Sequence, residues 1–323
     1  MKGSAKARAN IALAKYWGKL DSALNIPVVG SISITLDALW TETEVEFNNS
    51  YDADTLVLNG EVRKDLIEHA TKFLDLLRIY AGVKTRAHIV SKNNFPTGAG
   101  LASSASGFAA LAIASANALK LDLSQKNLSI IARQGSGSAA RSIFGGFVEM
   151  HAGQNPDGSD SFAEPIIPSE SWPLEVVIAI TEKREKVISS RVGMTQSSLT
   201  SPYYLGWVKT STKDLSAIRE AIYARDFERL AEVSEHNCLK MHAVTMTSQP
   251  ALIYWKPATV ACIHAVKELR TSGVPVFFTI DAGPQLKAIC APDNSKKVQE
   301  VLQSIPGVLD TLVTGLGADA QKT

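Results

Sequence analysis

The chain has 323 residues, 45% of them hydrophobic and 20% charged, a balance that suits a globular protein large enough for two domains. A formal net charge of +1 excludes the strong positive field by which proteins attract nucleic acid or an anionic membrane, so an anion site has to be local. The odd count of three cysteines argues against a disulfide framework, so we expect a cytoplasmic protein. No apolar run reaches about 18 residues, so we expect no membrane span.

Hydrophobic patterning before residue 95 indicates mostly strands. Strict alternation of apolar and polar residues is typical of a half-buried strand, and apolar residues at helical spacing are typical of an amphipathic helix. The predicted elements are strands over 32–36, 43–47 and 56–58, a hairpin turn at Asn59-Gly60, a helix over 64–81 and a strand over 88–91. Residues 10–19 contain Gly18 and precede the turn-like Asn25-Ile26-Pro27, which favours a loop there.

A glycine-bearing segment after this strand is the most informative stretch of the chain. Gly98 and Gly100 precede Ser103 and Ser104, and an alanine-rich run without proline follows. Glycine lets the backbone approach a ligand closely, and a helix beginning near Leu101 would present unpaired N–H groups and the positive end of its dipole. These features predict an anion site in which the two hydroxyls help to hold phosphate or its Mg2+. A turn that caps an ordinary core helix is the alternative, and neither a Walker pattern nor a dinucleotide pattern is present.

The rest of the chain mixes helices and strands without strict alternation, which indicates an α+β fold. We place a domain boundary near residue 180, with an N-terminal domain over 1–180 and a C-terminal domain over 181–323. The predicted elements are helices over 101–119, 124–134, 213–224, 226–239, 258–270 and 295–304, strands over 146–150, 174–181, 277–280 and 287–290, and a surface loop over 152–159.

Cationic side chains occur beside small residues in three further segments. Lys15 and Lys19 flank aromatic residues on the predicted loop and suit a polyanion, although two solvated lysines would give the same pattern. Arg141 follows a Gly-Ser-rich stretch, where free backbone N–H groups, hydroxyls and a guanidinium can hold a carboxylate or phosphate, with a flexible loop before a strand as the alternative. Ser190 and Arg191 repeat this chemistry, with a solvated loop as the alternative.

One carboxylate stands out in the C-terminal part. Asp281 follows the apolar strand over 277–280 and precedes Gly283-Pro284. A carboxylate at the end of a strand is well placed to act in a cleft as a base or a metal ligand, although aspartate is also common in turns. Among the histidines, none has zinc-ligand spacing, and His242 is the one that we single out.

Several of these segments resemble a known family. The pattern Pro-x-x-x-Gly-Leu-x-Ser-Ser-Ala over 96–105 resembles the phosphate loop of small-molecule kinases such as galactokinase, homoserine kinase, mevalonate kinase and phosphomevalonate kinase. The strings over 10–19, 136–149, 189–194, 241–243 and 279–284 are similar to those of the diphosphomevalonate decarboxylase family, and Lys-Tyr-Trp-Gly-Lys over 15–19 marks that branch. The resemblance covers about residues 5 to 290.

The resemblance implies a fold and a reaction. The fold would be a two-domain small-molecule kinase, with a ribosomal-S5-like N-terminal half and a ferredoxin-like C-terminal half around a central cleft. The reaction would be the ATP-dependent decarboxylation of mevalonate 5-diphosphate to isopentenyl diphosphate, with Mg2+ bound alongside ATP. The partners would be these small molecules, with no nucleic acid and no membrane, and because family members are often homodimers, a homodimer stays open.

The resemblance also implies roles for individual residues. Asp281 would accept or orient the proton of the 3-hydroxyl, Lys15 would stabilise Asp281 and the developing charge, and Arg141 would hold the substrate carboxylate. The implied substrate-binding residues are Tyr16, Lys19, Ser136, Gly137, Ser138, Ser190, Arg191 and Ala282. The implied ATP-binding residues are Pro96, Thr97, Gly98, Ala99, Gly100, Leu101, Ala102, Ser103 and Ser104, with Ser103 or Ser104 near Mg2+.

The chain departs from the family pattern at three places. Pro27-Val28-Val29-Gly30-Ser31 stands where Pro-Thr-Asn-Ser-Ser is usual, Ala140 replaces a cysteine, and Gln285 replaces a frequent asparagine. Because these positions are expected beside the site, they bear on the grip on the 5-substituent. The first alternative is therefore a decarboxylase of mevalonate 5-phosphate. The second, of another class, is a non-catalytic relative that binds a metabolite.

Overall fold

The computed structural model of the chain describes residues 1–95, 103–184 and 187–323. Its strands are β1 (Lys2–Ala14), β2 (Lys19–Asp21), β3 (Ile26–Pro27), β4 (Ser31–Asn48), β5 (Thr55–Leu58), β6 (Glu61–Val62), β7 (Arg86–Asn93), β8 (Phe147–Met150), β9 (Ala163–Ile167), β10 (Glu175–Ile180), β11 (Val276–Ile280), β12 (Leu286–Cys290), β13 (Asp310–Gly315) and β14 (Gln321–Lys322). Its helices are α1 (Ile67–Ala81), α2 (Ser103–Ala118), α3 (Gln125–Gly135), α4 (Ser190–Thr200), α5 (Tyr204–Ala224), α6 (Phe227–Met246), α7 (Pro257–Thr271) and α8 (Pro292–Gln303), with 3-10 helices over Gly137–Ile143 and Ser169–Ser171.

The strands form two main sheets. In the described part of the chain, the first sheet has eight strands in the order β14-β1-β4-β7-β5-β6, with β8 paired to β4 and β9 paired to β8. The second has four strands in the order β11-β12-β10-β13, all antiparallel. The described helices and these sheets confirm the predicted mixture of helix and strand.

Close packing of α2 against the first sheet brings its first turn to the cleft. Most of α2 is buried, and its core-facing side chains are mainly alanine and serine. A Cβ added to Gly3 of β1 would lie 2.5 Å from the Ala118 nitrogen. The helix can therefore lie directly on the strand, since no larger side chain separates the two backbones.

The second sheet presents the other wall of the cleft. Its apolar core joins β10, β11 and β12 to α6, α7 and α8, with Val266, Phe278 and Val298 fully buried. Strand β11 ends at Ile280, so Asp281 projects from the end of this sheet, as the sequence pattern predicts.

The structure corrects several predicted elements. The strands predicted over 32–36 and 43–47 are parts of the single strand β4, and the loop prediction is wrong for residues 10–14, which belong to β1. Residues 11–14 are apolar and buried on both faces, because the end of β1 is also covered by α5 and α6 of the C-terminal half, which removes the polar alternation of a half-buried strand. Ser189-Ser190-Arg191 is the start of a helix, where Ser189 accepts a hydrogen bond from the Val192 nitrogen and caps α4.

The change from one sheet to the other occurs between Ile167, the end of β9, and Glu175, the start of β10. Near the C-terminus the chain returns to the first sheet, where β14 pairs with β1. The division of the chain at residue 180 stays a prediction. Within the described ranges, every helix is too short or too polar to cross a membrane.

Gly30, one of the departures from the family pattern, lies where the packing leaves no space for a side chain. A Cβ on Gly30 would lie 2.7 Å from Leu215 Cδ2 and 2.9 Å from the Met150 oxygen. We expect Gly30→Ser, which restores the family residue, to lower the free energy of unfolding by about 1–3 kcal/mol through overpacking. Denaturant unfolding would measure the change. As a control, Gly206→Ala in α5 meets no atom within 4 Å and should leave stability unchanged or raise it. Equal stabilities for Gly30→Ser and the unaltered chain would contradict the packing argument.

Candidate active site

Asp281 is held between two buried lysines at the floor of the cleft. Lys15 Nζ lies 2.7 Å from Oδ1, and Lys287 Nζ lies 3.5 Å from Oδ2. Both lysine side chains are 1% exposed, whereas the Asp281 side chain is 25% exposed. The carboxylate therefore faces the cleft while its counter-charges lie behind it.

The position of Lys15 depends on contacts between the two halves of the chain. Its Nζ also donates to the Ala12 oxygen at 2.9 Å, and the Thr279 hydroxyl of β11 donates to the same oxygen at 2.9 Å. The Lys15 backbone nitrogen donates to Asn237 Oδ1 of α6 at 2.8 Å. The end of β1 is thus fastened to the second sheet beside Asp281.

Two buried side chains fix the residue that precedes Asp281. His242 Nε2 lies 3.1 Å from the Ile280 oxygen, and the Ile280 nitrogen donates to Cys238 Sγ at 3.2 Å. Burial lowers the pKa of His242 to about 3, so the ring is neutral at physiological pH and Nε2 carries the proton that it donates. His242 acts on the backbone at the strand end and does not reach into the cleft.

Charge, rather than burial, decides the ionisation of Asp281. Burial by itself would raise the pKa of its carboxyl, but Lys15, Lys287, the hydrogen bond from Lys15 and Arg141 together hold the pKa well below its usual range. Asp281 is therefore an anion over the whole physiological pH range.

Arg141 is clamped by three polar side chains from the first sheet. Its Nε donates to Ser33 Oγ at 2.9 Å, Nη2 donates to Asn10 Oδ1 at 3.1 Å, and Nη1 donates to Ser31 Oγ. Burial lowers the pKa of Arg141 to about 10, with Asp281 opposing the shift, so the guanidinium stays charged at neutral pH. The 3-10 helix that carries Arg141 thereby presents a rigid cation to the cleft.

Hydroxyl groups from two elements meet on another wall of the cleft. Ser104 Oγ in the first turn of α2 lies 3.3 Å from Ser136 Oγ, which lies 3.4 Å from Ser138 Oγ. Gly137 contacts the Tyr16 ring so closely that a Cβ would overlap the phenol. The Tyr16 hydroxyl is buried and has no hydrogen-bond partner among the described residues, so it is available to a ligand.

Two cations reach the cleft from opposite halves of the chain. Lys19 Nζ donates to Asn25 Oδ1 at 2.5 Å, and burial together with Arg191 lowers the pKa of Lys19 to about 8. Arg191 Nη2 of α4 lies 3.0 Å from His69 Nε2 of α1. Because burial and Arg191 lower the pKa of His69 to about 4, this ring is neutral and accepts the hydrogen bond.

All of the predicted site residues in the described part of the chain line one cleft of about 570 Å³. Pro96–Ala102 lie outside the described residues. The residues that converge are Lys15, Tyr16, Lys19, Ser103, Ser104, Ser136, Gly137, Ser138, Arg141, Ser190, Arg191, Asp281 and Ala282. Their individual roles stay predictions.

Sequence reasoning missed Lys287 and the residues that hold Arg141 and Lys19. Lys287 had a detectable signal, because it is the single charge in the buried strand β12. Ser31, Ser33 and Asn25 had no such signal, since serine and asparagine are common at the ends of strands and in turns. Only the tertiary contacts reveal their partners.

The three departures from the family pattern lie in the packing around the site. Val29 is buried with Trp17 in an apolar cluster, and Ala140 is buried in the core of the first half. Gln285 Oε1 accepts a hydrogen bond from the Thr181 nitrogen at 2.7 Å, which ties the turn after Asp281 to the end of β10. None of the three lines the cleft within the described residues, so the expectation that they alter the grip on the 5-substituent is not supported.

Comparison with known proteins matches both halves of the chain. The family model described as the diphosphomevalonate decarboxylase-like N-terminal domain matches residues 7–163, and the model described as the mevalonate 5-diphosphate decarboxylase C-terminal domain matches residues 176–315. The diphosphomevalonate decarboxylase of Candida albicans is 38% identical over 314 residues, which cover 93% of this chain and 87% of that protein. The phosphomevalonate decarboxylase of Haloferax volcanii is 34% identical, covering 99% of this chain and 97% of that protein.

Solved structures share the whole fold. The structure described as MDDEF in complex with MVAPP, AMPPCP and magnesium is 40% identical and superposes with a TM-score of 0.93, covering 100% of this chain and 99% of that one. This likeness confirms the predicted fold class, a two-domain small-molecule kinase fold with a central cleft. By sequence over nearly its full length and by structure, the chain belongs to the diphosphomevalonate decarboxylase family.

Proposed function

We propose that the chain catalyses the ATP-dependent decarboxylation of mevalonate 5-diphosphate to isopentenyl diphosphate, CO2, ADP and phosphate. The observation that carries the proposal is the ionised Asp281, which Lys15 and Lys287 hold in a cleft that is also lined by Arg141 and by several cationic and hydroxyl-bearing side chains. The complex of a 40% identical relative with MVAPP, AMPPCP and magnesium supports the same substrates here.

In the first step, the 3-hydroxyl oxygen attacks the γ-phosphorus of ATP, ADP leaves, and Asp281 receives the hydroxyl proton. The lowered pKa makes Asp281 a weak base, but a loose phosphoryl-transfer transition state asks for little proton removal before the phosphorus–oxygen bond to ADP breaks. The main work of the carboxylate is to orient the hydroxyl for in-line attack. Lys15 limits the charge that accumulates around this oxygen.

In the second step, the carbon–oxygen bond to the 3-phosphate breaks and phosphate leaves with its electron pair. The bond to the carboxylate then breaks, its electrons form the new carbon–carbon double bond, and CO2 departs. Arg141 uses three of its five N–H groups on Ser31, Ser33 and Asn10, which leaves two to hold the substrate carboxylate in position. Phosphate is a better leaving group than hydroxide, so phosphorylation of the 3-hydroxyl makes the decarboxylation feasible.

The diphosphate of the substrate would be bound by Lys19, Ser190, Arg191 and the Tyr16 hydroxyl. Lys19 and Arg191 supply charge from opposite halves of the chain, so a bound diphosphate would replace the Arg191–His69 contact and draw both halves to one ligand. Ser136, Gly137, Ser138 and Ala282 complete this wall.

The phosphates of ATP would bind at the N-terminal end of α2, near Ser103 and Ser104. No group of three or more His, Cys, Asp or Glu side chains within the described ranges could hold a metal ion. Serine hydroxyls and phosphate oxygens fit Mg2+, which binds oxygen ligands and keeps several waters. When bound, Mg2+ would neutralise phosphate charge.

A cytoplasmic location is part of the proposal. Cys238, Cys262 and Cys290 are all buried and unpaired, which suits a reducing compartment. A homodimer stays a prediction.

Purified protein supplied with ATP, Mg2+ and mevalonate 5-diphosphate should release CO2 and ADP in equal amounts. Trapped labelled CO2 and a coupled ADP assay would measure both products. Release of CO2 from mevalonate 5-phosphate but not from the diphosphate would favour a decarboxylase of mevalonate 5-phosphate. The 34% identity to a phosphomevalonate decarboxylase is the reason to include this substrate. Binding of the substrate without release of either product would favour a non-catalytic relative.

Asp281→Asn keeps the shape of the side chain but removes its charge and its ability to accept the proton. We expect turnover to fall by about 10²–10⁴-fold while the substrate still binds, as measured by steady-state kinetics and calorimetry. Asp37→Asn is the matched control, since Asp37 is exposed and pairs with Arg8 away from the cleft. Near-normal turnover of Asp281→Asn would remove the assigned role.

Arg141→Lys keeps the charge but loses the planar fork and the contacts to Ser31, Ser33 and Asn10. We expect turnover to fall by about 10–100-fold, in line with about 1.5–3 kcal/mol for hydrogen bonds to a charged group. Arg219→Lys is the control, because Arg219 pairs with Glu149 outside the cleft lining. Unchanged kinetics in Arg141→Lys would refute a grip on the substrate carboxylate.

A further inference from the structure

Lys287 is a charged residue inside an otherwise apolar strand. In the second sheet it lies between Thr279 of β11 and Ile178 of β10. The other residues of β12 are Leu286, Ala288, Ile289 and Cys290, and the whole strand is buried. A buried ammonium lowers the stability of the fold unless it is paired with an opposite charge, so Lys287 needs a partner.

Lys287 is paired with Asp281. Its Nζ lies 3.5 Å from Asp281 Oδ2, while Lys15 takes Oδ1 at 2.7 Å. Burial lowers the pKa of Lys287 and Asp281 opposes the shift. A carboxylate has about four lone-pair sites, so one lysine on each oxygen leaves further sites for a hydroxyl from the cleft.

The two lysines differ in their relation to Asp281. Lys15 follows β1 of the first sheet, whereas Lys287 belongs to the strand that pairs directly with β11, from whose end Asp281 projects. A shift of one half of the chain against the other would change the Lys15 contact but would carry Lys287 along with Asp281. Lys287 is therefore the counter-charge built into the same rigid sheet.

We propose that Lys287 is a positioning residue that keeps Asp281 ionised and fixes the orientation of its carboxylate toward the 3-hydroxyl of the substrate. This inference rests on the proposed function. Lys287 does not contact the substrate, because it lies behind Asp281 and does not line the cleft in the described part of the chain. It acts only through the carboxylate.

Lys287→Met, which keeps an unbranched side chain of nearly the same length without its charge, tests the proposal. Removing the ammonium raises the pKa of Asp281, so the acid limb of the kcat–pH profile should move to higher pH by at least half a unit. At neutral pH, kcat should fall about tenfold or more because the carboxylate loses its fixed orientation, while KM for both substrates changes less than threefold. Lys287→Arg retains the charge and should keep the acid limb near its original position. If the Lys287→Met protein does not fold, Lys287→Gln is a second neutral variant, for which we expect the same shift of the acid limb and the same fall in kcat.

Two controls separate positioning from a general structural role. Ile289→Val alters the next residue on the same face of β12 and should lower the melting temperature without moving the pH profile. In an Asp281→Asn background, Lys287→Met or Lys287→Gln should cause little further loss of turnover, since the carboxylate through which Lys287 acts has gone.

An unshifted acid limb and unchanged kcat in a folded neutral variant would overturn the proposal, as would a full additional loss in the Asp281→Asn background. If neither neutral variant folds, the Lys287→Arg variant decides. A shift of its acid limb by half a pH unit or more would overturn the proposal, and an unchanged acid limb would support it. Failure of the unaltered protein to release CO2 would instead overturn the proposed function, so the two failures are distinguishable.

Discussion

The site depends on one partly buried carboxylate that is held from both halves of the molecule. Asp281 directly follows β11 of the second sheet, and Lys15, whose ammonium contacts it, directly follows β1 of the first sheet. Neither charge would be stable alone at this depth, because the cost of removing an ion from water is offset only by a well-placed partner. The ion pair therefore requires the two sheets to meet at this point, and Thr279, which bonds to the Ala12 oxygen, shows that the backbone is fastened there as well.

The surrounding cations follow a common pattern of support by neutral polar side chains. Arg141 is held by Ser31, Ser33 and Asn10, and Lys19 is held by Asn25. Neutral partners fix the direction of a cation without cancelling its charge, so the cations remain available to an anionic substrate. Asp281 is the exception, since its work is done as an anion and its partners are cations. The cleft thus carries excess positive charge although the whole chain is nearly neutral.

The departures from the family pattern illustrate the difference between a position in a motif and a position in space. Val29 and Gly30 stand in a segment that was expected beside the bound 5-substituent, yet Val29 is buried in the apolar cluster that contains Trp17, and Gly30 leaves space for Leu215. Gln285, two residues after Gly283, bonds to the Thr181 nitrogen and supports the turn. The altered residues are therefore compensated within the packing, and the charged and hydroxyl-bearing residues of the cleft are left in place.

The sequence by itself determined the α+β class, most of the helices and about half of the strands in the described part of the chain, and many of the residues that line the cleft, because local periodicity, short motifs and the family resemblance carry that information. It could not determine that residues 10–14 form a strand, since a strand covered on both sides loses the polar alternation by which strands are recognised. Nor could it pair Lys287 with Asp281, assign Ser31 and Ser33 to Arg141, or bring Arg191 to His69. These contacts join residues that are distant in the chain, and only the packing of the two sheets and their helices decides which side chains meet.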